Sequence, residues 1–168
     1  GPRYFWYLYF YMVGSVGKRY SKADRAYIAG LFDCDGAIMA SIEPHKEKKY
    51  RFRVRVILKF TQKLPNLPQW LQSFYDVGII RCNRTTYDWV VRDQGHCKKL
   101  LELMQAFSRG KAKQIQFALQ ILNTSIASRS DLQKVAHLAD ALSMLNVRSL
   151  GRRKNYASKI EEYLSSND

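Results

Sequence analysis

Residues 27–37 read YIAGLFDCDGA, and this stretch decides how the rest of the chain is interpreted. Gly30 and Cys34 are small and lie four residues apart, so a helix places them on one face. A face of small residues lets two helix backbones approach closely. Asp35 falls at the end of this helix, and Gly36, a favoured helix-ending residue, follows it. The stretch therefore predicts a helix that pairs with a second helix through its small residues.

The position of Asp35 predicts a nearby cation. A carboxylate at a helix C-terminus meets the negative end of the helix dipole, which is unfavourable unless positive charge lies close by. A divalent metal ion would supply that charge. Two such helices side by side would bring two copies of Asp35 together, ready to share metal ions. The alternative is an ordinary amphipathic helix that ends at an Asp-Gly turn.

Length and charge restrict the class of protein. The chain has 168 residues, with 28 Lys and Arg against 14 Asp and Glu, for a net charge of +14. An excess of this size is typical of a protein with a polyanionic partner, with nucleic acid first and an anionic membrane surface second. The cysteines, Cys34, Cys82 and Cys97, are odd in number and lack a CxxC spacing, which indicates reduced thiols in an intracellular protein.

The N-terminal region is very aromatic, and it could be an added strand, a packing arm or translated upstream coding sequence. Gly1-Pro2 is typical of the pair of residues left after a tag is removed, and residues 1–20 form an aromatic arm. Its apolar run, residues 4–13, is too short to span a bilayer and lacks a signal-peptide cleavage site. We expect residues 21–168 to form a single domain, with C-terminal helices from about residue 131.

Periodicity and capping residues predict the order of the elements. Ser21 and Asp24 form a capping-box-like helix start, and Asn66 is the expected cap of a second helix. The predicted helices cover residues 21–34, 67–76, 96–107, 111–122, 131–146 and 155–164, and the predicted strands cover residues 38–42, 50–62, 79–84 and 87–92. The result is an α+β fold with an αββαββα core, in which helices cover one face of a four-stranded antiparallel saddle sheet, followed by further helices.

The strand at residues 50–62, YRFRVRVILKFTQ, indicates the partner. Its alternation predicts a core face made of Phe52, Val54, Val56, Leu58 and Phe60. The opposite face carries Arg51, Arg53, Arg55 and Lys59, with no acid between them. Such crowded like charges repel one another unless a phosphate chain neutralises them. The residues predicted to share this open surface are Ser41, Glu43, Arg81, Asn83, Asp88 and Val90.

The motif and the order of elements from about Ala23 to Leu122 resemble the single-motif LAGLIDADG homing endonucleases of algal organelle introns. The resemblance implies that Tyr27, Gly30, Leu31 and Cys34 form a homodimer interface. It also implies that Asp35 and the backbone carbonyl of Cys34 bind divalent metal. Gln62, in FTQK, is implied to order the attacking water and the metal shell, and Lys111, in KAKQ, to be catalytic. Relatives often carry a basic residue at the position of Asn66, so that role is vacant or filled elsewhere, with Lys63 one candidate.

The function that the resemblance implies is cleavage of double-stranded DNA. Two or more Mg²⁺ ions, with Mn²⁺ as a substitute, would assist hydrolysis of both strands and leave short 3′ overhangs. A strand of about nine residues spans roughly nine base pairs, so a homodimer would cover a pseudo-palindromic site of roughly 20 base pairs. Lys48 and Lys113 are further DNA-binding candidates. No membrane and no small-molecule substrate is expected, and the implied location is a chloroplast or mitochondrion.

Two other functions are alternatives to the nuclease. An intron maturase would bind structured RNA on the same fold, but it has less need of Asp35, Gln62 and Lys111 together. A DNA-binding regulator on an inactive nuclease fold would normally bring a separate helix-turn-helix domain, for which no length remains.

Overall fold

The computed structural model describes residues 19–146 and 155–167, which form an α+β fold. The helices are α1 (Lys22–Asp35), α2 (Asn66–Tyr75), α3 (Gln94–Gln105), α4 (Ala112–Leu122), α5 (Arg129–Leu145) and α6 (Tyr156–Ser166). The strands are β1 (Gly36–Pro44), β2 (Phe52–Gln62), β3 (Ile79–Cys82) and β4 (Tyr87–Val91). The predicted αββαββα order with further C-terminal helices is confirmed.

The strands form one antiparallel sheet in the order β1-β2-β4-β3. Its register places Ser41 opposite Arg55, Glu43 opposite Arg53 and Thr61 opposite Asp88. Because side chains alternate between the faces of a sheet, these residues lie on one face. The predicted strand parity is therefore confirmed.

The other face of the sheet packs against the helices. Val56, Leu58 and Phe60 of β2 are fully buried, as predicted, while Phe52 and Val54 are partly buried against the same core. From α1, Phe32 reaches the ring of Phe60 at a centroid distance of 6.0 Å. Helices α4 and α5 also pack on β1, and α6 packs on α5. One apolar layer thus joins the motif helix to the sheet.

Helix α1 begins and ends as its local sequence dictates, but Gly36 has a different role from the one predicted. The Ser21 hydroxyl accepts a hydrogen bond from the Asp24 amide, and the Asp24 carboxylate accepts one from the Ser21 amide, which confirms the capping box. Gly36 ends the helix in an extended conformation with φ −86°, not in the left-handed one. A Cβ atom at Gly36 would overlap both the ring and the Cα of Phe32, so glycine is required by close packing.

Two predictions about local structure were wrong. Asn66 is not the cap of α2, because it lies in the first turn, and the cap position, Pro65, makes no side-chain cap hydrogen bond. Arg51 is not part of β2. It adopts a left-handed conformation, with φ 65°, and its carbonyl accepts a hydrogen bond from the His45 amide at 2.8 Å. Arg51 therefore belongs to the turn between β1 and β2.

Three further findings concern the ends of the chain and its remaining helices. The predicted N-terminal arm lies almost entirely outside the described residues, so its boundary at residue 20 stays a prediction. Helices α3 and α5 each begin two residues earlier than predicted, because Asp93 and Ser128 cap them. In the described ranges, no helix combines the length and apolar character needed to cross a bilayer.

Candidate functional site

An open cleft lies where the end of α1 meets the exposed face of the sheet. Its volume is about 480 Å³. Its polar lining comes from five separate parts of the chain and includes Asp35, Lys59, Thr61, Asn83, Thr86, Asp88, Lys111 and Asn146. The cleft therefore brings together Asp35 and Lys111, two of the three residues implied to be catalytic.

The third residue, Gln62, contacts Asp35 directly. The Gln62 amide nitrogen donates a hydrogen bond of 2.8 Å to the Asp35 carboxylate and one of 3.1 Å to the Thr61 carbonyl. Gln62 is the last residue of β2, and Asp35 is the last residue of α1 and is exposed. The fold thus joins residues 27 positions apart at the mouth of the cleft.

The groups at the end of α1 suit a hard divalent cation. Carboxylate and carbonyl oxygens are the ligands that Mg²⁺ and Ca²⁺ prefer. Asp35 offers a carboxylate, and Cys34 lies in the last helical turn, where backbone carbonyls have no intrahelical donor. Among the residues that the structure describes, no group of three or more His, Cys, Asp or Glu side chains could hold a metal ion. Asp35 and the Cys34 carbonyl alone would give a bound Mg²⁺ or Ca²⁺ only part of its six or more ligands.

Lys111 is held in place by its backbone. It occupies the position just before α4, and its amide donates to the Asp33 carboxylate at 3.1 Å. The same carboxylate accepts a bond of 2.5 Å from the Ser108 hydroxyl and one of 2.9 Å from the Arg109 amide. Partial burial acts to raise the pKa of Asp33, but these hydrogen bonds together hold that pKa below its ordinary value. Asp33 is therefore bound tightly as an anion.

Asp88 lies on the predicted face but is not free to contact a partner. Only 5% of its surface is exposed. One carboxylate oxygen accepts a 2.7 Å bond from the Thr61 hydroxyl, and the other accepts a 2.5 Å bond from the Asn83 amide. Asp88 thus orients two other residues that line the cleft. The predicted direct contact between Asp88 and DNA is opposed by this burial.

The basic face carries an acid between two of its arginines. Glu43 accepts hydrogen bonds from Arg53 at 3.0 Å and from Arg55 at 2.9 Å. These bonds lower the pKa of Glu43. Strand β2 itself has no acid on this face, as predicted, but the neighbouring strand β1 supplies Glu43. As a result, Arg53 and Arg55 are oriented together before any partner binds.

The other predicted DNA-binding residues occupy three places. Ser41 and Lys59 lie on the exposed sheet face and are partly buried, whereas Arg81 and Asn83, on and just after β3, are exposed. Val90 shares this face but is buried. Lys48 and Arg51 lie in the exposed turn between β1 and β2, and Lys113 is exposed on α4. Their contacts with DNA stay predictions.

The basic role left open by Asn66 has a candidate in the cleft. Asn66 and Lys63 are both exposed, and neither is among the residues that line the cleft. Lys59 does line it, together with Lys111. Lys59 is therefore better placed than Lys63 to add a second cation near Asp35.

Helix α1 divides its residues between the core and an exposed face. Ile28, Ala29 and Phe32 are buried. The opposite face carries the four predicted dimer residues: Tyr27, Gly30, Leu31 and Cys34. A Cβ atom placed at Gly30 would meet nothing within 4 Å, so folding of the single chain does not require glycine there. The open space beside Gly30 and Cys34 is therefore available for contact with another chain.

Sequence reasoning missed Asp33, Asn146 and the network around Asp88. Asp33 lies inside the motif, but its partners are more than 70 positions away. Asn146 donates a 3.1 Å bond to the Ile38 carbonyl, on the edge strand β1. No local sequence pattern predicts hydrogen bonds between residues so far apart. The sequence showed only that Asp33 is an acid near the end of a helix, where a carboxylate needs a partner.

The comparisons with known proteins agree with this geometry. The model of the LAGLIDADG endonuclease family matches residues 28–123. The DNA endonuclease I-CreI of Chlamydomonas reinhardtii is 27% identical over 138 residues, which cover 78% of this chain and 83% of that protein.

Solved structures give the same result. The homing endonuclease I-CvuI, in complex with its target in the presence of 2 mM Ca, matches with a TM-score of 0.77 and 25% identity over 86% of this chain and 94% of that one. The archaeal intron-encoded homing endonuclease I-Vdi141I, complexed with DNA, matches with a TM-score of 0.72 over 83% of this chain and 96% of that one. At 21% identity, the second match establishes the fold alone.

Proposed function

This chain belongs to the LAGLIDADG endonuclease family, and we propose that it is an intron-encoded homing endonuclease that cuts both strands of a long DNA site as a homodimer. DNA cleavage with a divalent metal ion is the activity of the family. The dimer, the identity and number of the metal ions and the form of the cut ends are the parts that need testing.

One observation carries the proposal: the cleft that holds Asp35 and Lys111 lies at the end of the sheet face that carries Arg53 and Arg55. A duplex lying along that face would bring its phosphates to the cleft. Lys111 would then face a phosphodiester group, where its ammonium would stabilise the negative charge of the transition state. Gln62, within hydrogen-bonding distance of Asp35, would orient a water molecule for attack.

The oxygen ligands at the end of α1 fit Mg²⁺, with Asp35 and the Cys34 carbonyl as the groups that would hold it. When bound, the metal supplies charge stabilisation to the attacking and leaving oxygens of the phosphodiester. Asp35 lines the cleft, so its carboxylate is within reach of an ion bound there. A calorimetric titration with Mg²⁺ or Mn²⁺ would detect binding without any need for cleavage, and the Asp35→Asn variant should lose it.

The proposed homodimer is supported by the face of α1 that the core leaves exposed. Tyr27, Gly30 and Cys34 are exposed there at helical spacing, and Gly30 has open space around it. A second copy packing on this face about a twofold axis would bring two Asp35 residues close together, since each ends its own α1. The partial metal shell of one chain would then be completed by the other.

The experiment that tests the function uses the purified chain and a library of duplexes with a randomised segment of roughly 24 base pairs. With Mg²⁺, we expect discrete double-strand breaks within one related set of sequences, and sequencing of the ends should show short 3′ overhangs. Addition of a chelator should stop cleavage but leave the DNA bound. Failure to cut any duplex with Mg²⁺ or Mn²⁺ would overturn the proposal.

The maturase alternative is not favoured, because the similar structures contain endonucleases bound to DNA. The proposed location, a chloroplast or mitochondrion, rests on the resemblance to organelle intron proteins. Import or expression of a fluorescent fusion in the source cells would test that location separately from the activity.

A further inference from the structure

The segment 108–111, directly before α4, wraps around a carboxylate of the motif helix. Asp33 accepts hydrogen bonds from the Ser108 hydroxyl and from the backbone amides of Arg109 and Lys111. Gly110 lies against the same side chain: a Cβ atom at Gly110 would be 3.5 Å from the Asp33 Cβ. Four consecutive residues are thus arranged around one side chain of α1.

Helix α4 lacks a cap of its own. Its cap residue is Lys111, which makes no side-chain cap hydrogen bond. The first amides of a helix need acceptors, and a negative charge is favourable at that end. Asp33 supplies the negative charge, and it accepts from the amide of the cap residue Lys111, which lies 78 positions later in the chain. The Ser108 hydroxyl accepts from the same amide at 3.3 Å, so α1 and the segment before α4 fix the start of α4 together.

We propose that Asp33 is a positioning residue that holds Lys111 beside Asp35. The two carboxylates lie in the last turn of α1, with Asp35 lining the cleft and Asp33 bound to the segment before α4. One helical turn would then set the spacing between the metal-binding end of α1 and the Lys111 ammonium. The inference rests on the catalytic role proposed for Lys111.

A purely structural role makes a different prediction. If Asp33 only joined α1 to α4, its loss would lower stability and affect DNA binding and cleavage alike. If Asp33 acts through Lys111, its loss should slow the chemical step at saturating DNA and leave affinity nearly unchanged. A misplacement of about 1 Å in a catalytic group can reduce a rate roughly 100-fold.

The test is a double-mutant cycle on single-turnover cleavage, with Asp33→Asn, Lys111→Ala and both together, in the full chain with Mg²⁺. We expect Asp33→Asn to slow cleavage roughly 10- to 100-fold and to change DNA affinity less than about threefold. In the Lys111→Ala background the same change should cost less than about threefold more, because coupled residues are not additive. Fully additive losses would overturn the inference while leaving the proposed endonuclease intact.

Two further variants keep the test decisive. Ser108→Ala removes one donor to Asp33 without changing the motif, so it should slow cleavage in the same direction by a smaller factor. If Asp33→Asn does not fold, a double-mutant cycle of Ser108→Ala with Lys111→Ala takes the place of the cycle with Asp33→Asn. Asp131→Asn is the matched control, because Asp131 accepts the Ala127 amide at the start of α5. It should leave the rate within about twofold, as expected for a distant, independent site.

The possible failures are distinguishable. If the wild-type chain cuts no DNA, the proposed function fails first. If the wild-type chain cuts DNA and Lys111→Ala cuts at the same rate, the role of Lys111 and the inference both fall, but the endonuclease remains.

Discussion

The two ends of the exposed sheet face differ in whether their charged side chains form ion pairs within one chain. Near the β1–β2 turn, Arg53 and Arg55 are bonded to Glu43, so their guanidinium groups are oriented within one chain. At the other end, Asp35 accepts a bond from the neutral Gln62 amide. No ion pair with Asp35 occurs among the described residues, although Lys59 and Lys111 line the same cleft.

In the proposed endonuclease, this difference would separate recognition, at the end near the β1–β2 turn, from cleavage, at the end that carries Asp35. The recognition end holds two guanidinium groups on one carboxylate, so it keeps a net positive charge that is oriented before a duplex binds. The cleavage end holds a carboxylate at the unfavourable end of a helix dipole, and a metal ion and a second chain would complete it. The predictions below test this separation, beginning with the largest effect.

Replacing Asp35 with Asn should abolish cleavage and leave specific DNA binding largely intact. The amide keeps the shape and can still accept a bond from Gln62, but it loses the charge that binds metal. Cleavage is measured with Mg²⁺, and affinity with Ca²⁺ in its place. Mg²⁺-dependent cleavage that survives in the purified variant would show that Asp35 is not the metal ligand.

Replacing Gly30 with Leu should give monomers that no longer cut both strands, or insoluble protein. Nothing within one chain opposes a side chain at this position, so the single chain should fold and only the contact between chains should suffer. Light scattering and double-strand cleavage are the measurements. The matched control is Gln120→Leu, at an exposed position of α4.

Wild-type protein that is a stable monomer, both free and on DNA, would contradict the homodimer. If the Gly30→Leu variant remained dimeric, the dimer interface would have to lie outside the Gly30 face of α1.

Replacing Lys111 with Ala should slow cleavage roughly 100-fold and change affinity little, since its ammonium acts on charge that develops in the transition state. Single-turnover rates at saturating protein give the chemical step. Lys159→Ala removes the same charge from the exposed surface of α6 and should cut at the wild-type rate. A Lys111→Ala variant as fast as that control would exclude Lys111 from the site.

Replacing Glu43 with Gln should affect only the recognition end. Arg53 and Arg55 would lose the negative charge and one of the two oxygens that fix their orientation, and they could then bind phosphates more freely. We expect a steeper salt dependence of binding and a loss of about 1–3 kcal/mol of discrimination at one base position. Glu47→Gln removes the same charge from the turn and is the control. Equal behaviour of the two variants would show that the Glu43 ion pairs do not contribute to recognition.

The sequence predicted those parts of the molecule whose causes are local. The capping box of Ser21 and Asp24 acts over three residues, and the alternation along β2 needs only the strand period, so both predictions were confirmed. Arg51 was misplaced because its left-handed backbone depends on the hydrogen bond between His45 and Arg51, which closes the turn. The requirement for Gly36 was attributed to the wrong cause, because the close contact with Phe32 becomes visible only in three dimensions.

In the candidate site, too, the sequence predicted the residues but not the long-range contacts between them. Asp35, Gln62 and Lys111 were identified from the motif and the resemblance; the fold brings Asp35 and Lys111 to one cleft and bonds Gln62 to Asp35. Glu43 was placed on the correct face, but its ion pairs with Arg53 and Arg55 depend on the register between β1 and β2. Asp33 could not be assigned, since its function depends on a segment that the fold brings to it from another part of the chain.

In the proposed homodimer, each double-strand break needs two copies of Asp35. Wild-type and Asp35→Asn chains can be co-refolded at varying ratios and constant total protein, and the linear DNA product measured. If two wild-type chains are required, the yield falls as the square of the wild-type fraction, to about one quarter in an equal mixture. A yield that falls in direct proportion, to about one half, would mean that one chain cuts both strands alone and would contradict the account.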